Sequence, residues 1–190
     1  MQPLGRYRFR ATAPATLADV PHIIDTSPFL TQVRYEFPDV TPDELWDVVS
    51  SARMWSWLPT VWGCRYPPGE SIGVGTVRDY QMFVHHWLIF AQRERILRWE
   101  PGHRLSYTAD DATLPIFGTW YEDYRVEEGR HGGSVLNWTM AVRIRFLGAI
   151  PLRWVSPVFA RIFRFGLRGV RREVNMGIHA PERMIEPRHH

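Results

Sequence analysis

The stretch "TWYEDYRVEE" (residues 119–128) sets a carboxylate between two aromatic rings. With the two-residue period of a β-strand, Trp120, Glu122, Tyr124 and Val126 share one face, and Thr119, Tyr121, Asp123, Arg125 and Glu127 share the other. The first face has the makeup of a core face, yet it carries Glu122. Alternation likewise places Glu94 with Phe90, Gln92 and Ile96 in "FAQRERI", and Tyr107 with Leu105 in "HRLSY". Carboxylates and a phenol on inward faces are the groups that move protons in general acid–base chemistry. They equally serve to orient the polar end of a bound molecule or to satisfy an internal cation. An isolated buried charge costs several kcal/mol, so such groups must be paired, protonated or wet.

Other chemistries find little support. His85 and His86 are adjacent and point opposite ways on an extended chain, so they do not share a metal easily. His22, His103, His131 and His179 are scattered among expected loops, and no HExxH or CxxC motif occurs. "GSV" at 133–135 is a turn into a strand rather than a nucleophile elbow. "GVGTV" precedes a strand rather than a helix, so it makes no phosphate cradle. No metal and no cofactor are expected, and Cys64 reads as a buried structural thiol.

The elements that must position these residues follow from pattern. "FLTQVRYEF" (29–37) alternates as a strand. "TPDELWDVVSSA" opens a short helix, with Thr41 and Glu44 as a capping box and Pro42 at the first helical position. "RMWSWLP" follows as a second short helix or turn. Strands are predicted at about 61–66, 74–83, 87–98, 103–109, 117–128 and 134–146, with "LGAIP" ending the last. Their short, turn-rich connections favour antiparallel pairing. Ser156 and Pro157 then start a helix running to about Asn175, nineteen residues or about 28 Å. Phe159, Ile162, Phe163, Gly166, Val170 and Val174 share one side of it, and Arg161, Arg164, Arg168, Arg171 and Arg172 the other. An antiparallel sheet with one apolar face must be covered, and this helix is the element long enough to do so.

The ordered set of motifs resembles the helix-grip superfamily of pollen allergens, START domains and bacterial polyketide cyclases and dehydratases. "TPDELWDVVSSARMWSWLP" is similar to the opening segment of the bacterial branch, and "GVGTVRDY", "RERILRWEPGHRLSY" and "GSVLNWTM" are similar to its later strands. The resemblance implies an α+β fold: a seven-stranded curved antiparallel sheet wrapped around a long C-terminal helix, with two short helices after strand 1. It divides the chain into an N-terminal arm or tail (1–28), one helix-grip domain (29–178) and a C-terminal tail (179–190). It also selects the inward face of "VRDYQM", whose apolar residues are split, as Arg78, Tyr80 and Met82.

A cavity between sheet and helix is then expected, with Arg78, Tyr80, Met82, Glu94, Tyr107, Trp120, Glu122, Tyr124, Trp138, Phe159, Phe163 and Gly166 as candidate ligand-binding residues. One arginine and two carboxylates do not neutralise, so either one carboxylate is protonated or the cavity is wet. Gly166 either leaves space above the sheet or permits close packing. Three functions remain open. The first is a binder of a small apolar molecule such as a lipid, polyketide, sterol or aromatic metabolite. The second is a cyclase or dehydratase using Glu94, Glu122 and Tyr107 as acid–base groups, with Arg78 stabilising an enolate. The third is an interaction module using the basic helix.

Composition bounds the rest. The chain has 190 residues, 45% of them hydrophobic, and nine Trp, which suits one domain with a substantial core. No apolar run approaches the ~20 residues of a membrane span. The N-terminus lacks a secretory core, and the single cysteine excludes an internal disulfide. A cytoplasmic location is expected. All 23 basic side chains are Arg, and residues 151–175 hold a net +5, leaving the remainder at −2. That face is a solvated surface or a weak contact for an anionic membrane or an acidic protein. Nucleic acid is not expected, since no recognition motif accompanies it. The Trp-rich turn "RMWSWLP", taken as exposed, could support a homodimer.

Overall fold

The computed structural model describes residues 8–69, 71–84, 87–130, 132–145 and 152–177. His85 and His86, His131, the "LGAIP" terminator and the tail from residue 179 lie outside the described residues. The strands are β1 (Arg10–Ala11), β2 (Phe29–Phe37), β3 (Val61–Arg65), β4 (Val77–Val84), β5 (Trp87–Glu100), β6 (Arg104–Ala112), β7 (Phe117–Glu128) and β8 (Ser134–Ile144). Seven of them form one antiparallel sheet in the order β2-β8-β7-β6-β5-β4-β3, and it does not close, because β2 and β3 lie at its two ends. Pairing shifts register at Met82/Phe83, Arg93/Glu94, Ile96/Arg98 and Phe117/Thr119. Each irregularity adds local bend and twist, and together they curl the sheet. Its concave face carries Ile96, Leu105, Tyr124, Val126, Leu136 and Trp138, which join the main core.

Helix α2 (Pro42–Val49) starts as its sequence dictates. Thr41 Oγ1 accepts from the Glu44 amide, and the Glu44 carboxylate accepts from the Thr41 amide. The following residues, 51–60, form a turn rather than a helix. Within it Trp55 adopts φ +67°, a region that bulky residues rarely enter. Its ring packs against Trp57, Trp138 and Phe163, and these contacts hold the conformation. Met54 and Trp55 are buried. The turn is therefore not the exposed patch that could support a homodimer, because Met54 and Trp55 are buried in the core and Trp57 packs partly against it.

The single C-terminal helix read from the sequence is two helices, α3 (Ser156–Leu167) and α4 (Val170–Gly177). The break has a physical cause. Trp57 Nε1 inserts beside the ladder and donates to the Gly166 carbonyl at 2.8 Å, which otherwise accepts a shorter-range bond from the Gly169 amide at 3.0 Å. A side chain at Gly169 would strike the Trp57 ring at 2.1 Å, so only glycine lets the ring in. Ser156 is not the N-cap either: a 3₁₀ turn (Leu152–Val155) leads directly into α3, and Val155 takes the cap position.

Residues 8–28 lie against the sheet's outer surface. The pairing of β6 with β7 stops at Thr108–Tyr121, and beyond it β1 pairs with β6 through Arg10–Ala112 and Ala11–Asp111. Ala13 then donates to the Gly118 carbonyl of β7 at 2.6 Å, so the arm fills the split between the two strands. Helix α1 (Val20–Thr26) buries Ile23 against Tyr121 and Ala141, forming a small second core. Neither β1 nor α1 was visible in the sequence pattern. No helix among the described residues is long and apolar enough to cross a membrane.

Candidate functional site

Between the concave sheet, the turn at 51–60 and α3 lies a cavity of about 660 Å³. Nine of the residues expected there line it: Tyr80, Met82, Glu94, Tyr107, Trp120, Glu122, Trp138, Phe159 and Phe163. Phe90, Gln92, Met140, Val142 and Ile144 add to the wall from the same inward faces. Trp55, Leu58, Thr60 and Val61 line it from the turn and the start of β3, and Phe29 and Val155 complete it. The turn residues were missed because "RMWSWLP" carries no periodicity that assigns an inward side. Its density of Trp was the available signal.

Three expected residues do not reach the wall. Arg78 points inward but lies behind it: its guanidinium is 4.4 Å from the centre of the Tyr107 ring, which screens it. Tyr124 lies beneath Trp138, stacked at 5.5 Å with an interplanar angle of 8°. Gly166 faces the Trp turn rather than the void. A Cβ there would sit 3.1 Å from the Trp55 ring, so glycine here serves close packing.

The charged groups are already engaged. Arg78 Nε donates to Glu94 Oε2 at 2.6 Å, and Arg78 Nη1 donates to the Tyr66 hydroxyl at 2.8 Å. Gln92 Nε2 donates to the other oxygen of Glu94. Arg78 thus pairs with Glu94 and not with Glu122. Glu122 is held by neutral donors. Trp120 Nε1 donates to Oε1 at 2.7 Å, while the Tyr124 hydroxyl and Trp138 Nε1 donate to Oε2 at 2.7 and 2.8 Å. Burial, with the negative charge of Glu94, pushes the Glu122 carboxyl above its usual range, while its donors pull it part of the way back. Burial also pushes the phenols of Tyr80, Tyr107 and Tyr124 well above theirs. These hydroxyls stay protonated at neutral pH, and that of Tyr124 donates to Glu122.

The wall is therefore carbon almost throughout, and the two carboxylates are hydrogen-bonded to neighbouring side chains at or behind it. Of the two outcomes the sequence leaves open, a protonated carboxylate or a wet cavity, the raised proton affinity of Glu122 favours the first. Indole and phenol donors, rather than a second cation, satisfy Glu122. The arrangement suits an apolar guest enclosed by rings, with a neutral or negative carboxyl at one side.

Cys64, on β3 near Arg78, is buried, and desolvation pushes its thiol up to about 12 despite the opposing pull of Arg78. Native protein at mildly alkaline pH is expected to resist iodoacetamide while urea-unfolded protein alkylates fully. Intact-mass measurement distinguishes the two, and rapid alkylation of the native protein would contradict the buried placement.

Comparison with known proteins agrees with this geometry. Residues 31–175 match the family described as "Polyketide cyclase / dehydrase and lipid transport". An uncharacterized protein of Mycobacterium tuberculosis is 28% identical over 145 residues, covering 76% of this chain and 81% of its own length. The crystal structure of Ara h 8.0201 superposes with a TM-score of 0.58 at 16% identity, covering 78% of this chain and 98% of that one. A major latex-like protein of Panax ginseng gives a TM-score of 0.53 at 13% identity, covering 80% and 99%. At these identities the two structures show a shared fold and nothing finer.

Proposed function

The chain belongs to the polyketide cyclase/dehydrase and lipid transport family, and on that premise we propose that it binds one small, mostly apolar molecule in the cavity between sheet and α3 as a carrier or receptor. The supporting observation is the combination of a cavity of about 660 Å³ with a nearly all-carbon wall. That volume falls within the usual range for small-molecule sites. Glu94 and Glu122 both line the cavity, yet each of their oxygens already accepts a hydrogen bond. A guest would gain most from burial against Trp120, Trp138, Phe90 and Phe163.

Titration with N-phenyl-1-naphthylamine, a neutral apolar fluorophore, tests this reading. The protein is expected to enhance its emission. Val142→Phe, which narrows the void, is expected to weaken binding on the order of tenfold or more while leaving the fold intact by circular dichroism. Equal affinity in both proteins would place the dye elsewhere. Native mass spectrometry of the purified protein, looking for a retained apolar molecule, would identify the guest.

A second reading keeps Glu122 as a proton donor in cyclase or dehydratase chemistry. It is favoured by the position of this carboxyl at the wall with its affinity for protons raised by burial. Arg78 has no part in it, since Tyr107 screens the guanidinium from the cavity. On this reading Glu122→Gln removes turnover of a bound polyketone and leaves its affinity intact.

A further inference from the structure

We infer that the outer side of α3 and the turn before it form a docking surface for an anionic lipid membrane. Trp154, Val158, Ile162 and Phe165 stand in solvent with relative exposures of 73%, 58%, 56% and 69%. Their spacing of four, four and three residues places them in one row along the helix. The row extends about 16 Å. Large side chains exposed in a contiguous row, rather than singly, mark a contact surface.

The flanks of the row say what that contact is. Arg161, Arg164 and Arg168 are exposed along one border. The other border is Phe159, which is partly exposed and also lines the cavity. The surface thus passes from cations, through a convex apolar row, to the Phe159 ring that also lines the cavity. That is the layout of a helix lying in a membrane interface, with arginines at the headgroups and aromatic and aliphatic side chains at the acyl boundary. Residues 152–169 contain no Asp or Glu. A second copy set antiparallel against this surface would bring arginines against arginines, and one set parallel would leave them without an acidic partner, whereas an anionic bilayer meets both the charge and the apolar row.

The surface is also held in place. Arg153 donates to the carbonyls of Ile24, Asp25 and Ser27 at the C-terminal end of α1, where a cation is favoured. This fixes the turn that carries Trp154.

Vesicle flotation with the full chain tests the inference. Vesicles of equal parts phosphatidylcholine and phosphatidylglycerol are expected to carry the protein, and phosphatidylcholine vesicles are not. Binding should fall as salt is raised. Arg161→Gln with Arg168→Gln is expected to weaken partitioning about thirtyfold, from roughly a fivefold factor per arginine. Trp154→Ser with Phe165→Ser should weaken it by about tenfold or more. All four positions are exposed, and unchanged urea midpoints would show that the variants fold. Absence of binding to the anionic vesicles, or equal binding by wild type and both double variants, overturns the inference. So does a wild type that floats with neither vesicle and that sediments as a dimer made monomeric by the Trp154/Phe165 change, which would assign the row to a second copy.

Discussion

Replacing Arg78 with Met is expected to destabilise the protein by about 3–5 kcal/mol, read as a fall in the urea midpoint at constant slope. Arg78 and Glu94 are 2% and 1% exposed. Removing the guanidinium leaves the Glu94 carboxylate buried with only the Gln92 amide as donor, and deprives the Tyr66 hydroxyl of its charged partner. The cost is that of an uncompensated buried charge rather than of a lost attraction. The double change Arg78→Met with Glu94→Met removes both charges and should recover most of the loss. If the single variant loses less than about 1 kcal/mol, as exposed pairs do, the pair is solvated and its burial behind the cavity wall is wrong.

Glu122→Leu is expected to be similarly damaging for a different reason. It orphans two indole N–H groups and the Tyr124 hydroxyl, which all converge on one carboxylate. Buried unpaired donors cost about 1–3 kcal/mol each, so the total reaches on the order of 3 kcal/mol or more. Glu122→Gln keeps one carbonyl oxygen and should cost less. Its comparison with wild type also carries a pH signature. Burial and the neighbouring Glu94 hold the Glu122 carboxyl above its unfolded value of 4.5. The folded protein therefore keeps this proton after the unfolded chain has released it. The resulting stability is fully present below the unfolded value and is lost as pH rises through the raised folded value. Gln does not titrate, so the stability of Glu122→Gln relative to wild type should improve from acid to neutral pH. The other carboxylates are common to both proteins and largely cancel. An opposite trend would mean that the three donors outweigh burial and that the anion is the favoured form.

Much of this site was legible because the strands alternate. In "WYEDYRV" and "VLNWTMAVRI" a two-residue period separates polar from apolar positions, and Trp120, Glu122, Trp138 and Met140 accordingly share the concave side. The capping box at Thr41 and Glu44 was equally local and equally readable. What escaped depends on contacts between distant residues. The break in the last helix is made by Trp57, 109 residues away from the carbonyl it bonds. No wheel drawn from residues 156–175 contains it. Gly166 and Gly169 could be noticed, but which ring they admit is fixed by the turn at 51–60. Arg78 was correctly placed on the inward face, yet facing inward and touching the void are different things when the Tyr107 ring lies between. Strand β1, only two residues long, has no periodicity to detect.

The arm that fills the split between β6 and β7 bears on the order in which the molecule assembles. The Thr12 hydroxyl bonds the carbonyls of Ala109 and Asp110, 97 and 98 residues later. A chain synthesised from its N-terminus thus exposes the arm early, but its seat does not exist until both flanking strands have formed. The seam is a late-closing stitch, and the entropy of waiting across so long a loop grows only slowly with its length. The sheet consequently has a line of weakness in its middle as well as at its rims. Partial opening from this side would start with residues 10–13 peeling away, next to the rings of Phe117 and Trp120 that wall the cavity.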